Sequence, residues 1–195
     1  MEKMGRNGMS CFPPDDGRLR ELILHISARC ADWEDFDPAM LERLLFQSDF
    51  LHFREHGFPI TGQAYRRGIR SPAPRAMART LRALAWEFAV LENPTGDGLH
   101  VKRRPTALRD ADLTGFDGQE IASVEQVIWF YRRKWNAALG GPDLLSIPWE
   151  LAGPREEIPY ALALVGPLPA AAIPVLAEKA QGMRQLARET LALAA

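Results

Sequence analysis

The segment from Pro38 to His56 constrains the fold most, because apolar residues would cover nearly the whole circumference of a helix formed there. These residues are Leu41, Leu44, Leu45, Phe46, Phe50, Leu51 and Phe53. A helix that is apolar on all sides is usually buried on several sides, so the pattern predicts a central helix. Asp37 is the predicted N-cap, Pro38 suits the first helical position, and Gly57 is predicted to end the helix.

The residues after this helix predict a turn and then an exposed basic segment. Pro59-Ile60-Thr61-Gly62 has the composition of a turn. Between Gly57 and Trp86 the chain has no acidic residue but six arginines, Arg66, Arg67, Arg70, Arg75, Arg79 and Arg82. Guanidinium groups pair with carboxylates and phosphates, which predicts a contact with phosphates or with an acidic partner. The alternative is a solvated face whose counter-ions are acids elsewhere in the chain.

Hydrophobic periodicity predicts further helices over residues 16–30, 76–88, 117–139 and 174–192. Asp15 or Asp16 can cap the first of these helices, and Ser71 with Pro72 and Pro74 is interpreted as the start of the second. Asp117 and Glu120 resemble a capping box at the start of the third. Six prolines between residues 142 and 169 predict short extended segments there.

One strand signal is convincing. Two short apolar runs, at residues 88–91 and 99–102, flank a cluster of Asn, Pro, Gly and Asp, which predicts a small β-hairpin with a long loop. Residues 64–69 are compatible with a short strand or an irregular loop. The predicted fold class is therefore mainly α, a compact helical domain with one small β-hairpin and a C-terminal amphipathic helix. Residues 1–14 are predicted to be a flexible lead-in, 15–166 the domain, and 167–195 a helical extension.

Composition narrows the function classes. The apolar content is 47%, the charged content is 25%, and the formal net charge is −1, which argues against a protein that coats nucleic acid. The sequence predicts no transmembrane helix and no signal peptide. Cys11 and Cys30 are interpreted as reduced thiols of a cytoplasmic protein. None of the common nucleotide-binding, hydrolase or metalloprotease motifs is present, so we expect no enzyme and no cofactor.

The central stretch resembles the signature of the Panacea-domain family, the SocA/GepA-like antitoxins. The matching residues are Leu44, Leu45, Phe46, Asp49, Phe50, His52, Phe53, Gly57, Pro59, Ile60, Thr61, Gly62 and Tyr65. Pro72 and Pro74 match a Gly-Pro-x-Pro segment in which Ser71 replaces the glycine. Weaker similarity continues at residues 109–113, at Trp149 and at 158–160, so the resemblance covers about residues 19–165.

The resemblance implies a mostly helical antitoxin that neutralises a co-encoded protein toxin by direct contact, in a bacterium or a prophage. The candidate contacts are the six arginines and the C-terminal helix. The predicted architectural residues are those of the signature, including Asp49, His52 and the Ile-Thr-Gly turn.

Two alternatives to the antitoxin remain open. Asp49, His52 and His56 would lie on one helix face and could bind a metal ion, although hydrogen bonding to the following turn is the favoured interpretation. Lys102-Arg103-Arg104 at the end of the hairpin is similar to the basic wing of a winged-helix regulator, which would bind its own promoter DNA. Trp129, Trp135 and Trp149 are interpreted as core or interface anchors.

Overall fold

The computed structural model describes residues 12–68, 71–95, 102–134, 145 and 147–165. In this part the chain forms a helix-rich domain with small antiparallel sheets. The elements are α1 (Asp16–Arg29), α2 (Pro38–His56), β1 (Tyr65–Arg67), β2 (Pro72–Pro74), α3 (Met77–Trp86), β3 (Val90–Thr95), β4 (Lys102–Ala107), α4 (Gly118–Lys134), α5 (Ile147–Leu151), β5 (Glu157–Ile158) and a 3-10 turn (Tyr160–Leu164).

Helix α2 is the centre of the domain, as predicted. Its residues from Leu44 to Phe53 are all buried, and it packs against α1, α4, β2 and the 3-10 turn. The Asp37 carboxylate accepts a hydrogen bond from the Met40 N–H at 2.8 Å, which caps the first turn. Gly57 adopts a left-handed φ of 85° and ends the helix, since a residue without Cβ takes this conformation without strain.

The predicted caps of the two neighbouring helices are also confirmed. Asp15 caps α1 by accepting from the Arg18 N–H at 2.9 Å. At the start of α4, Asp117 accepts from the Glu120 N–H at 2.8 Å, and the Glu120 carboxylate accepts from the Asp117 N–H at 2.9 Å. This reciprocal pair is a capping box with Asp in the place of Ser or Thr.

The predicted hairpin is present, but both strands lie later in the chain than the sequence indicated. β3 pairs with β4 from Val90↔Ala107 to Thr95↔Lys102, so the strands are Val90–Thr95 and Lys102–Ala107 rather than residues 88–91 and 99–102. Val90 is buried and Ala107 packs against the same core. A shift of one residue would turn Val90 to solvent, and this fixes the register.

A second sheet corrects the prediction of a single hairpin. β1 pairs on one side with β2 and on the other with β5, all antiparallel. Pro72 and Pro74 therefore belong to a strand and do not start a helix, and α3 begins only at Met77. β2 is an edge strand, where the missing proline N–H groups disrupt no sheet between two neighbours.

Several predicted features lie outside the described residues, namely Cys11, Arg70, Trp135 and the helix over 174–192. Cys30 is buried at the end of α1 as a free thiol, and burial raises its pKa to about 12. Among the helices that the structure describes, none is both long and apolar enough to cross a membrane.

Candidate functional site

The signature residues meet at a buried carboxylate. Asp49 is fully buried in α2, and one of its oxygens accepts from the Thr61 N–H at 2.7 Å. The other oxygen accepts from the Tyr65 hydroxyl at 2.7 Å and from the Thr61 hydroxyl. Tyr160 adds a longer contact of 3.4 Å. We call Asp49, Thr61, Tyr65 and Tyr160 the Asp49 cluster.

Burial shifts the pKa values of the ionisable groups in this cluster. Burial raises the pKa of Asp49, while hydrogen bonds from Thr61 and Tyr65 offset part of that rise. Burial and the nearby Asp49 charge raise the pKa of Tyr65 and of Tyr160 well above the ordinary tyrosine value. Both phenols therefore remain hydrogen-bond donors at neutral pH. The carboxylate acts as an acceptor for the turn, which makes its role architectural.

The other signature residues pack around the Asp49 cluster. The Phe53 ring lies 5.7 Å from Phe12 and 5.6 Å from Tyr160, measured between ring centroids. Pro59, Ile60 and Thr61 are buried, as are Pro72 and Pro74 of β2. Gly62 has a φ of 63°, and a Cβ there would lie 2.5 Å from the carbonyl oxygen of Pro13. The turn therefore requires glycine for two reasons, conformation and close approach.

His52 and His56 do not form a metal site with Asp49. The Nδ1 atom of His52 lies 3.0 Å from the Ser123 hydroxyl, which itself donates to the Gln119 carbonyl at 3.0 Å. Burial lowers the pKa of His52 and favours the neutral ring. The His56 ring stacks on it at 4.3 Å, while Asp49 contacts the turn. In the part of the chain that the structure describes, no three potential ligands come together.

The arginines of the basic segment have different environments. Arg66 and Arg82 are exposed, and neither forms an ion pair with a described residue. Arg79 pairs with Asp16, and Arg75 lies 4.0 Å from Glu157. Arg67 is half-buried, and its guanidinium donates to the Ala152 carbonyl at 2.5 Å. Acids elsewhere in the chain thus pair with Arg75 and Arg79. Arg82 of α3 forms no ion pair with a described residue.

One arginine of the proposed DNA-binding wing has an internal role. Arg104 in β4 donates to the carbonyls of Ala31 at 3.2 Å, Trp33 at 2.9 Å and Glu34 at 3.0 Å. These carbonyls lie in the loop between α1 and α2. Arg104 therefore anchors the ribbon of β3 and β4 to the rest of the domain.

An exposed apolar surface lies where α3 passes into β3, and the sequence interpretation missed it. Trp86 is 87% exposed and Phe88 is 82% exposed, while Leu91 and Leu108 are about half exposed. We call these four residues the aromatic corner. Isolated exposed apolar residues are normal on a protein surface, but a group with two nearly bare aromatic rings indicates an interaction site.

Backbone hydrogen bonds hold the aromatic corner together. The Phe88 N–H donates to the Ala85 carbonyl at 3.1 Å, and the Leu108 N–H donates to the Ala89 carbonyl at 2.9 Å. Leu91 follows Ala89 by two positions, so Leu91 and Leu108 lie on the same side of the ribbon. Phe88 has a left-handed φ of 55°, which a bulky residue rarely adopts. The corner is thus a defined surface with local backbone strain.

A sequence signal for this surface does exist. Arg79, Arg82 and Trp86 are spaced i, i+3 and i+7, which places them on one face of α3. The apolar stripe that predicts this helix is Met77, Leu81, Leu84 and Phe88. Met77 and Leu84 are buried on the other face, whereas Phe88 lies beyond the end of the helix and is exposed. A tryptophan aligned with arginines, out of phase with the apolar stripe, is predicted to be exposed.

Trp129 and Trp149 differ in exposure. Trp129 in α4 is 59% exposed beneath the guanidinium of Arg133, whereas Trp149 is half-buried beneath that of Arg67. Trp149 packs against the hydrophobic core, which agrees with its interpretation as a core anchor. Trp129 lies on the surface, so only the interpretation as an interface anchor remains for it.

No protein-family model matches the chain, and neither a curated protein nor a solved structure shows significant similarity to it. The Panacea-domain resemblance therefore rests on the signature residues alone.

Proposed function

We propose that this protein is an antitoxin that binds a co-encoded protein toxin, and that the aromatic corner together with Arg82 is its docking surface. The high exposure of Trp86 and Phe88, two residues apart in the chain, is the observation that carries the proposal. Tryptophan and arginine are enriched among the residues that dominate binding energy at protein interfaces. The family resemblance supplies the toxin as the expected partner.

Charge favours an acidic surface on that partner. Arg82 lies one helical turn before Trp86, is exposed, and forms no ion pair with a described residue. Exposed Ala78 and Ala85 lie beside it on α3, so a partner can approach the helix closely. A carboxylate of the toxin would pair with Arg82 at the rim while the two aromatic rings become buried.

Co-expression tests the function directly. The open reading frame next to the gene is expressed alone and together with this chain, and growth is measured. We expect the neighbour to be toxic alone and harmless in the presence of this chain, with both proteins co-purifying. A neighbour that is not toxic, or toxicity that is not relieved, contradicts the proposal.

A double variant tests the docking surface. Trp86→Ala with Phe88→Ala is expected to weaken toxin binding by about a hundredfold or more, because truncation of hot-spot residues costs at least about 2 kcal/mol each. Trp129→Ala is the matched control, since Trp129 is also an exposed tryptophan but lies on α4. Full rescue by the double variant would remove the aromatic corner from the interface while leaving the antitoxin proposal standing.

DNA binding is a second candidate because α3 leads directly into the ribbon of β3 and β4, as in a recognition helix followed by a wing. A regulator would shift its own promoter DNA in a salt-sensitive manner, and Arg82→Ala with Arg103→Ala would abolish the shift. Arg104 is left unchanged in this variant because its side chain anchors the ribbon.

A further inference from the structure

A cavity of about 350 Å³ lies beside the basic segment, where β1 meets the turn before β5. Its lining residues are Arg67, Gly68, Trp149, Pro154 and Arg155. Its volume is in the range of small-ligand sites. Among the described residues, two arginines and no acidic residue line the cavity, so this part of the lining carries a positive charge.

Arg67 presents one edge of its guanidinium for a ligand. Its Nη1 atom donates to the Ala152 carbonyl at 2.5 Å and lies 3.5 Å from that of Glu150. The guanidinium carbon lies over the Trp149 ring, 5.0 Å from its centroid, and this cation–π contact favours the observed position of the group. No described residue accepts from Nε or Nη2. That edge has the fork geometry that pairs with two oxygens of an oxyanion.

The backbone holds Arg155 at the rim of the same cavity. The Arg155 N–H donates to the Arg67 carbonyl at 2.9 Å, and the Glu156 N–H donates to the Gly153 carbonyl at 3.0 Å. Arg155 has a left-handed φ of 62°, a conformation that costs free energy for any residue with a Cβ. Its side chain is exposed, and no described acid forms an ion pair with it.

Two of the nearby acids, Glu156 and Glu157, make contacts outside the cavity. The Glu156 carboxylate accepts from the Gly153 N–H at 3.1 Å, and Glu157 lies 4.0 Å from Arg75. Glu150 follows Trp149 and has a buried Oε2 atom with no hydrogen-bond partner among the described residues, but it is not one of the described lining residues. Among the described lining residues, a ligand in the cavity would therefore meet the two guanidinium groups without an opposing acid.

We infer that this cavity is an oxyanion-binding site in which the Nε–Nη2 edge of Arg67 and the side chain of Arg155 clamp one carboxylate or phosphate group. The stack with Arg67 occupies one face of Trp149, so recognition is through charge and hydrogen bonds. The oxyanion comes either from an acidic side chain of a protein or from free phosphate. The inference involves none of the residues of the aromatic corner and does not depend on the proposed function.

Titration calorimetry with two probes tests the site and separates the two sources. The probes are inorganic phosphate and a short capped peptide of glutamate residues. We expect at least one probe to bind the full chain. Binding of phosphate alone assigns the site to a free anion, and stronger binding of the peptide assigns it to an acidic protein segment.

Variants of Arg155 locate the binding. Arg155→Gln removes one charged donor and is expected to weaken binding about tenfold or more, while Arg155→Lys retains part of the affinity. The control is Arg133→Gln, because Arg133 also lies 5.0 Å over a tryptophan ring, that of Trp129. Absence of binding by both probes overturns the inference, as does unchanged binding by Arg155→Gln.

Discussion

The side chains of the Asp49 cluster are buried, whereas those of the aromatic corner are exposed. In the cluster, a carboxylate that is costly to bury receives hydrogen bonds from Thr61 and Tyr65, and the whole group is closed to solvent. In the corner, Trp86 and Phe88 expose apolar surface that the domain leaves uncovered. The polar groups of the Asp49 cluster thus find their partners within the domain, whereas the rings of the aromatic corner remain exposed.

This difference separates residues that hold the fold together from residues that are available to a partner. A polar group that is satisfied internally has no capacity left for a ligand, so Asp49 holds the end of α2 to the turn at Thr61. The signature residues therefore define a scaffold. Trp86 and Phe88 are exposed, and Arg82 forms no ion pair with a described residue, so these are the residues that a partner would contact.

The largest expected effect is on stability at the Asp49 cluster. Asp49→Ala leaves the Thr61 N–H, the Thr61 hydroxyl and the Tyr65 hydroxyl without their acceptor in the core. Each unsatisfied buried donor costs about 1–3 kcal/mol, so we expect the free energy of unfolding to fall by about 3–5 kcal/mol. Urea denaturation measures the change. The control is Asp110→Ala, at an exposed position. A loss below about 1 kcal/mol would show that the cluster is not a structural hub.

The second effect concerns the turn that the cluster holds. Gly62→Ala places a methyl group 2.5 Å from the Pro13 carbonyl oxygen and also strains the φ of 63°. We expect a loss of about 2–3 kcal/mol in unfolding free energy. Gly57→Ala is a matched control, since its φ is 85° but no atom lies within 4 Å of the new Cβ. It should cost only about 1–2 kcal/mol. Equal losses for the two variants would mean that the contact with Pro13 contributes nothing.

More of the scaffold than of the surface could be predicted from the sequence. Local signals fix α2: an N-cap and proline at Asp37-Pro38, a continuous apolar run, and Gly57. The contact of Asp49 with the turn was likewise expected, because a helix end followed by several N–H groups favours a carboxylate acceptor. These features involve residues that are close together in the chain.

What the sequence could not supply depends on long-range contacts. Tyr160 reaches the Asp49 cluster from a segment 111 residues away, and β5 joins the sheet of β1 by the same return of the chain. Pro72 and Pro74 suit either a helix start or an edge strand, and only the pairing with β1 decides between them. The exposure of Trp86 likewise depends on what packs against α3.

A smaller effect is expected at the strained residue Phe88, where substitution by glycine should increase stability and decrease binding. Phe88→Gly relieves the left-handed φ of 55° and removes a ring that is 82% exposed. We expect the free energy of unfolding to rise by up to about 1 kcal/mol, while affinity for the toxin falls. Urea denaturation and a binding assay measure the two changes. Phe58→Gly is the control, because Phe58 is about half exposed and has no positive φ, so glycine should only destabilise there. A loss of stability in Phe88→Gly would show that the ring contributes more to folding than its backbone costs.

The smallest effect concerns a surface ion pair outside both regions, and pH reveals it. The Glu125 carboxylate accepts two hydrogen bonds of 2.8 Å from Arg29 and one contact of 3.0 Å from His25, and the bonds from Arg29 are the main cause of its lowered pKa. A pKa below that of the unfolded chain means that the pair stabilises the fold above about pH 4.5 and that this stabilisation is lost as pH falls through the folded-state pKa. Because solvent screens the pair, Glu125→Gln should cost less than about 1 kcal/mol at pH 7. The stabilities of the two proteins should converge towards pH 3. A difference that stays constant from pH 7 to pH 3 would assign the effect of Glu125 to packing rather than to charge.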